Sequence, residues 1–212
     1  SSRGHVRVFQ YNGINNPWVQ IGTEIQGTIG GAYSMIGYLN GNGNILAVGA
    51  MGGIGNVRIY ENISGTWTQL GGLIEGENSN DNSGLDISLS DDGTIVAIGA
   101  RGNDGNGNYS GHVRVYQYDV TKTTNVTDQN STDYGPIGWR RLGKDIDGEA
   151  ASDQSGGSKG DAVSLISDVT NGIIVAIGAK LNDGTANNSG HARIYQYDVT
   201  KTTNVTDQNS TD

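Results

Sequence analysis

The chain has 212 residues, of which 35 are Gly and none is Cys, and only 34% are hydrophobic, which is thin for one compact core. A formal net charge of -9 repels polyanions such as DNA, and no run of Lys and Arg offers a local exception. No stretch reaches the roughly 18 apolar residues of a membrane-spanning helix, the lack of Cys rules out disulfides and thiolate metal sites, and the opening Ser1-Ser2-Arg3-Gly4 has no signal-peptide character.

The first predicted strand, Gly4-His5-Val6-Arg7-Val8-Phe9, alternates with period two, Val6 and Val8 on one face and Arg7 on the other. Trp18-Val19-Gln20-Ile21-Gly22 follows it. A segment over residues 31–39 then leads to Ile45-Leu46-Ala47-Val48-Gly49-Ala50, after which Gly55-Asn56-Val57-Arg58-Ile59-Tyr60 and Trp67-Thr68-Gln69-Leu70-Gly71 restate the first two phrases. The succession returns as residues 85–90, Ile95-Val96-Ala97-Ile98-Gly99-Ala100, Gly111-His112-Val113-Arg114-Val115-Tyr116 and Trp139-Arg140-Arg141-Leu142-Gly143. It returns once more as residues 162–167, Ile174-Val175-Ala176-Ile177-Gly178-Ala179 and Gly190-His191-Ala192-Arg193-Ile194-Tyr195.

Each phrase is short, β-branched or aromatic, and bounded by Gly, Asn and Asp, which predicts strands throughout and no helix. With strand types A (Ser-Leu-Ser), B (Ala-Ile-Gly-Ala), C (His-Val-Arg-Val) and D (Trp-x-x-Leu-Gly), the chain reads C-D, A-B-C-D twice, then A-B-C. The B strand is apolar on both faces, so it belongs inside a sheet, and its Ala and Gly suit close backbone approach. Four antiparallel strands per module describe a propeller blade, and small units that bury their faces on neighbours tolerate a low apolar content. The expected fold is all-β, a propeller-type array of four-stranded antiparallel blades over residues 1–28, 29–76, 77–149 and 150–212. Residues 119–133 and 198–212 read as polar, solvated linkers.

The pattern Ser-Leu-Ser-x-Asp-Gly-x-Ile-Val-Ala-Ile-Gly-Ala, followed by Gly-His-Val-Arg-Val-Tyr, resembles FG-GAP-type repeats, the blades of integrin-α-like propellers. The resemblance covers nearly the whole chain and implies an extracellular, adhesion-type propeller. It departs from the family in lacking the Phe-Gly pair, with Gly31, Gly84 and Gly160 near that place. Asp91-Asp92-Gly93 and Asp168-Val169-Thr170-Asn171-Gly172 are only fragments of the family's calcium loop.

The segment from Tyr116 to Asp133 recurs unchanged from Tyr195 to Asp212, and the N-terminus enters at a C strand. The expectation is either a piece of a longer array or ends that complete each other or a neighbouring copy, since an unfinished sheet offers unpaired backbone groups to another strand. Head-to-tail completion that does not close gives a filament.

Asn62, Asn108, Asn125, Asn130, Asn187, Asn204 and Asn209 each begin an Asn-x-Ser/Thr triplet in a predicted loop and are candidate glycan acceptors, although a chain this rich in Asn, Ser and Thr produces such triplets by chance. His5, His112 and His191 share one module position with Asn56, an exchange that suits a hydrogen-bonding structural role better than catalysis. Arg7, Arg58, Arg114 and Arg193 recur with Glu77 and Glu149, so a repeated Arg–carboxylate pair is expected. Trp18, Trp67 and Trp139 read as packing residues, with a sugar-stacking platform as the alternative. Asp91 with Asp92, and Asp145 with Asp147, are candidate Ca²⁺ ligands, since hard carboxylate oxygens at short spacing hold that ion; solvated turns are the plainer reading. No Gly-x-Ser-x-Gly elbow or phosphate loop is present, which favours a non-catalytic structural or adhesive protein binding other copies of itself, glycans or cell-surface proteins. A ligand-binding propeller, Ca²⁺-dependent or not, is the alternative.

Overall fold

The computed structural model describes residues 4–14, 17–27, 34–157, 162–168, 172–184 and 186–198. Gly31, Gly160, Asn204, Asn209 and most of the second polar linker lie outside them. The described residues are all-β and contain no helix. The fourteen strands are β1 (His5–Gln10), β2 (Val19–Gln26), β3 (Ser34–Leu39), β4 (Ile45–Met51), β5 (Asn56–Ile63), β6 (Thr66–Gln69), β7 (Ile74–Glu75), β8 (Asp86–Leu89), β9 (Ile95–Ala100), β10 (His112–Tyr118), β11 (Trp139–Asp147), β12 (Val163–Asp168), β13 (Gly172–Ala179) and β14 (His191–Gln196).

They fall into four antiparallel sheets that follow the chain. Sheet 1 is β1-β2, sheet 2 is β3-β4-β5-β6 with β7 also on β5, sheet 3 is β11-β10-β9-β8, and sheet 4 is β12-β13-β14. Strand types A to D therefore pair in sequence order, each with its neighbour along the chain. In sheet 2 the D strand is split at residues 70–73 into β6 and β7. Every residue of β9 is buried, the mark of an inner strand covered on both faces.

Period two gives each sheet two unlike faces, and successive sheets stack unlike on unlike. Ile45, Ala47, Val57, Ile59 and Ile74 on the front of sheet 2 meet Ile87, Val96, Ile98, Tyr116 and Trp139 on the back of sheet 3. Ile95, Ala97, Val113 and Val115 on the front of sheet 3 meet Val163, Leu165, Val175 and Ile177 of sheet 4. Val8 and Ile25 of sheet 1 meet Leu46, Val48 and Trp67 of sheet 2. The apolar content is thus distributed over three thin seams rather than one core.

Backbone also crosses the seams. Gly41 N–H donates to Asp91 O (3.2 Å) and Gly72 N–H to Ile137 O (2.7 Å). Gly55 and Gly111 form parallel bridges to Ser83 and Ser155 of the next module. A methyl on Gly99 would collide with the Gly156 carbonyl oxygen, which explains why the B strand carries Gly there.

Candidate functional site

Chemistry-bearing side chains gather at the seams. On β10 the alternation that sends Val113 and Val115 forward sends Arg114 backward. Its Nε donates to Asp145 Oδ1 (2.8 Å) and its Nη2 to Asp145 Oδ2 (2.6 Å), a bidentate grip on the adjacent strand. The same Nη2 lies 2.5 Å from Glu77 Oε1, in the loop that follows β7 of the preceding module. One guanidinium therefore ties two modules together. Asn103, buried in the loop between β9 and β10, donates from Nδ2 to Glu77 Oε2 (2.9 Å) and Asp81 Oδ2 (3.1 Å). Its Oδ1 accepts from Gly105 N–H, which holds the loop in shape.

The next seam repeats the arrangement. Asn182 Nδ2 donates to Glu149 Oε2 (2.7 Å) and Asp153 Oδ2 (2.9 Å), Arg193 pairs with Glu149, and His191 Nδ1 stands 3.3 Å from Glu149 Oε2. The expected recurrence of Arg with Glu77 and Glu149 is present, now as a link between modules. In sheet 1, Arg7 Nε donates to Glu24 Oε2 (2.6 Å).

Burial raises the pKa of Asp145 and Glu77, but their hydrogen bonds and charge contact with Arg114 outweigh it and hold both carboxyls below the usual range. Arg114 is likewise held charged by Asp145 against the opposing effect of burial. His112 is pushed down to about 4 by burial and then by Arg114. It is neutral at pH 7, so its Nδ1, 3.9 Å from Asp145 Oδ2 and 4.0 Å from Asp147 Oδ1, forms no ion pair there. That buried Nδ1 also has no hydrogen-bond partner, so the hydrogen-bonding role expected of the histidine is not made at this atom. Asp147 is pushed up, by burial first and then by Asp145 and Glu77.

Glu77, His112 and Asp145 bring ligand atoms within 4.8 Å of one another. Two oxygens and a neutral imidazole would suit a divalent cation, but both carboxylates are already paired with Arg114, and Asp145 with Arg141 as well. Of the sequence candidates, Asp145 is committed to Arg114 and Arg141, and Asp147 pairs with His112 across the strands. Asp91 and Asp92 sit on the β8–β9 turn, at the opposite end of sheet 3 in the strand register. Asp92 Oδ1 accepts from Ser90 Oγ (2.6 Å) and from Thr94 N–H (2.9 Å), the hydrogen bonding of a turn.

The first two seams are also fastened by indoles. Trp67 Nε1 donates to Ile21 O and Trp139 Nε1 to Leu70 O, both at 3.0 Å, in the D strand of the preceding module. Gly22 (φ 74°) and Gly71 (φ 70°) follow those carbonyls, and a side chain on either would strike the indole. Trp139 is 0% exposed and packs against Tyr118 at a 59° tilt with centroids 5.3 Å apart. Trp18 makes the same 5.3 Å pair with Tyr11 but is 64% exposed.

The polar linker at residues 119–133 is largely exposed yet pinned. Val126 bridges Gly135, buried Lys122 donates from Nζ to Asp133 O (2.7 Å), and Gln129 bonds Glu77. With residues 73–78 it lines a cleft of about 470 Å³ that includes Tyr116 and Tyr134. Among the sequon residues, Asn108, Asn125, Asn130 and Asn187 are exposed in loops, while Asn62 is half-buried on β5 beside its turn.

Asn103, Asn182, Asp81 and Asp153 were not singled out as a set by sequence reasoning, because Asn-Asp-Gly reads as a turn. Their signal was recurrence: Glu77 to Asp81 matches Glu149 to Asp153, and Asn103 to His112 matches Asn182 to His191. No family model matches this chain, and no curated protein matches it. Among the described residues, no helix is long and apolar enough to cross a membrane.

Proposed function

We propose that this chain is a non-catalytic structural or adhesive repeat protein of the extracellular or cell-surface type, with propeller-type blades that join copies into a filament or larger array. The observation that carries this reading is that its buried ionisable groups close on one another at the seams. Glu77, Arg114 and Asp145 compensate each other, Glu149 and Arg193 repeat the device, and Trp67 and Trp139 are bonded to backbone of the preceding module. Arginines that recur between modules and are closed on carboxylates of their neighbours suit fastening better than turnover. The extracellular placement rests on the resemblance to FG-GAP-type repeats and on the exposed sequons. Electron microscopy of the natural material tests the proposal: extended or sheet-like particles support it, and isolated closed discs contradict the assembly.

A second reading is favoured by the cleft between residues 73–78 and 125–136, where Tyr116, Tyr134 and Glu77 offer aromatic and polar contacts of the kind a carbohydrate or peptide uses. Glycan-array binding that disappears with Tyr134→Ala would support that reading, and loss on chelation would add Ca²⁺ to it.

A further inference from the structure

In sheet 2 the C and D strands are joined by Ser64 and Gly65 alone, whereas in sheet 3 residues 119–138 intervene. The inserted chain is held in one shape. Arg141 Nη2 donates to Gln129 O (2.5 Å), Arg140 Nε to Asp133 Oδ1 (2.8 Å), and Ile137 N–H to Asn125 Oδ1 (2.9 Å). Against residues 73–78 it walls the cleft of about 470 Å³, a size common to small-molecule sites, which span about 300–1,000 Å³.

Tyr116 forms part of the cleft lining and is only 2% exposed. Its ring edge lies beside Gly135, where an added Cβ would come within 3.4 Å of Tyr116 Cε1. The Tyr116 hydroxyl makes no hydrogen bond within the described residues, although buried polar groups are normally paired. Burial raises its pKa, so it keeps its proton and can donate as well as accept. Packing does not require the hydroxyl, since the first module has Phe9 at this C-strand position.

We infer that the cleft holds a short, neutral oligosaccharide, with the Tyr116 hydroxyl as its buried hydrogen-bonding contact. The inference rests on the ligand-binding reading of the cleft and names its ligand class. Sugar hydroxyls donate and accept at once. The walls offer groups that answer both ways: the Tyr116 and Thr127 hydroxyls, the Asn125 Nδ2 donor and the Glu77 carboxylate. No Lys or Arg lines the cleft while Glu75 and Glu77 do, so a phosphate, sulfate or carboxylate would be repelled. An extended peptide finds little strand edge to join. Val126 and Gly135 N–H donate to each other's carbonyls (2.9 and 3.0 Å), Gly76 N–H donates to Gly55 O (3.1 Å), and Pro136 has no N–H.

The test screens the full chain, produced without glycosylation so that no sugar on Asn125 competes, on an array of neutral and acidic glycans. The neutral glycan bound best is then titrated calorimetrically into wild type, Tyr116→Phe, Thr127→Val and Tyr60→Phe. Tyr116→Phe should bind about fivefold to tenfold more weakly, the worth of one hydrogen bond, and keep the wild-type urea midpoint. Thr127→Val, in the exposed linker, should also weaken binding, and Tyr60→Phe, at the same module position in sheet 2, should not. Binding to acidic glycans alone, unchanged affinity in Tyr116→Phe, or a lowered urea midpoint for that variant would each overturn the inference. Peptides from a displayed library that bind wild type and are lost with Tyr134→Ala would overturn the sugar and leave the ligand-binding reading standing. An array and a library that both yield nothing would refute that reading as well.

Discussion

Replacing Trp139 by Phe keeps an aromatic ring against Tyr118 while removing the indole N–H. The Leu70 carbonyl then loses the donor 3.0 Å away, on a side chain that is fully covered. Leaving such an acceptor unpaired costs about 1–3 kcal/mol. The smaller ring also leaves unfilled space worth about 1 kcal/mol of apolar contact. The sum, about 2–4 kcal/mol, is a large fraction of the roughly 5–15 kcal/mol that holds a typical domain together. Trp18→Phe is the control, since Trp18 is mostly in water and its replacement should change stability by less than about 0.5 kcal/mol. Urea unfolding followed by far-UV circular dichroism, which does not depend on the altered fluorophore, measures both. Equal shifts for the two variants would refute the idea that the indole fastens one module to the next.

Arg114→Met leaves Glu77 and Asp145 side by side without their shared cation, and should destabilise by about 3–5 kcal/mol; Arg7→Met, which breaks an exposed pair, should leave the urea midpoint near wild type. Gly99→Ala places a methyl against the Gly156 carbonyl and should cost about 1–3 kcal/mol or more. Gly178→Ala, at the same module position with its nearest neighbours 3.8 Å away, should be neutral or slightly stabilising in thermal unfolding. His112 has a folded pKa of about 4, below its unfolded value, so stability is complete above about pH 6.5 and falls by up to about 3 kcal/mol as pH drops toward 4. His112→Asn, the residue found at position 56, should flatten that part of the pH profile, and an unchanged profile would refute the assignment.

Much of the fold was legible because repetition constrains interpretation. The apolar run Ile95–Ala100 could be assigned to an inner strand from composition, and β9 is buried along its length. The carboxylates were harder. Asp145 and Asp147 differ by two residues on one strand and look alike in sequence, yet Arg114 grips the first and not the second. That distinction depends on where a guanidinium from another strand arrives, which short-range pattern does not encode. Trp18, Trp67 and Trp139 were likewise indistinguishable as a motif; coverage by a preceding D strand separates them. The linker at residues 119–133 reads as solvated because it lacks apolar residues, whereas its order comes from Lys122, Gln129 and Val126 finding partners across the loop.

The seam between sheets 2 and 3 is fastened at two places, Trp139 on Leu70 at one end of sheet 3 and Arg114 with Asn103 on Glu77 at the other. Two pins suppress the hinge that a single apolar contact would leave between neighbouring sheets. The angle between sheets 2 and 3 is then held from both ends. A substitution that loosens one pin should therefore act as a local joint, letting sheet 3 swing on sheet 2 about the pin that remains.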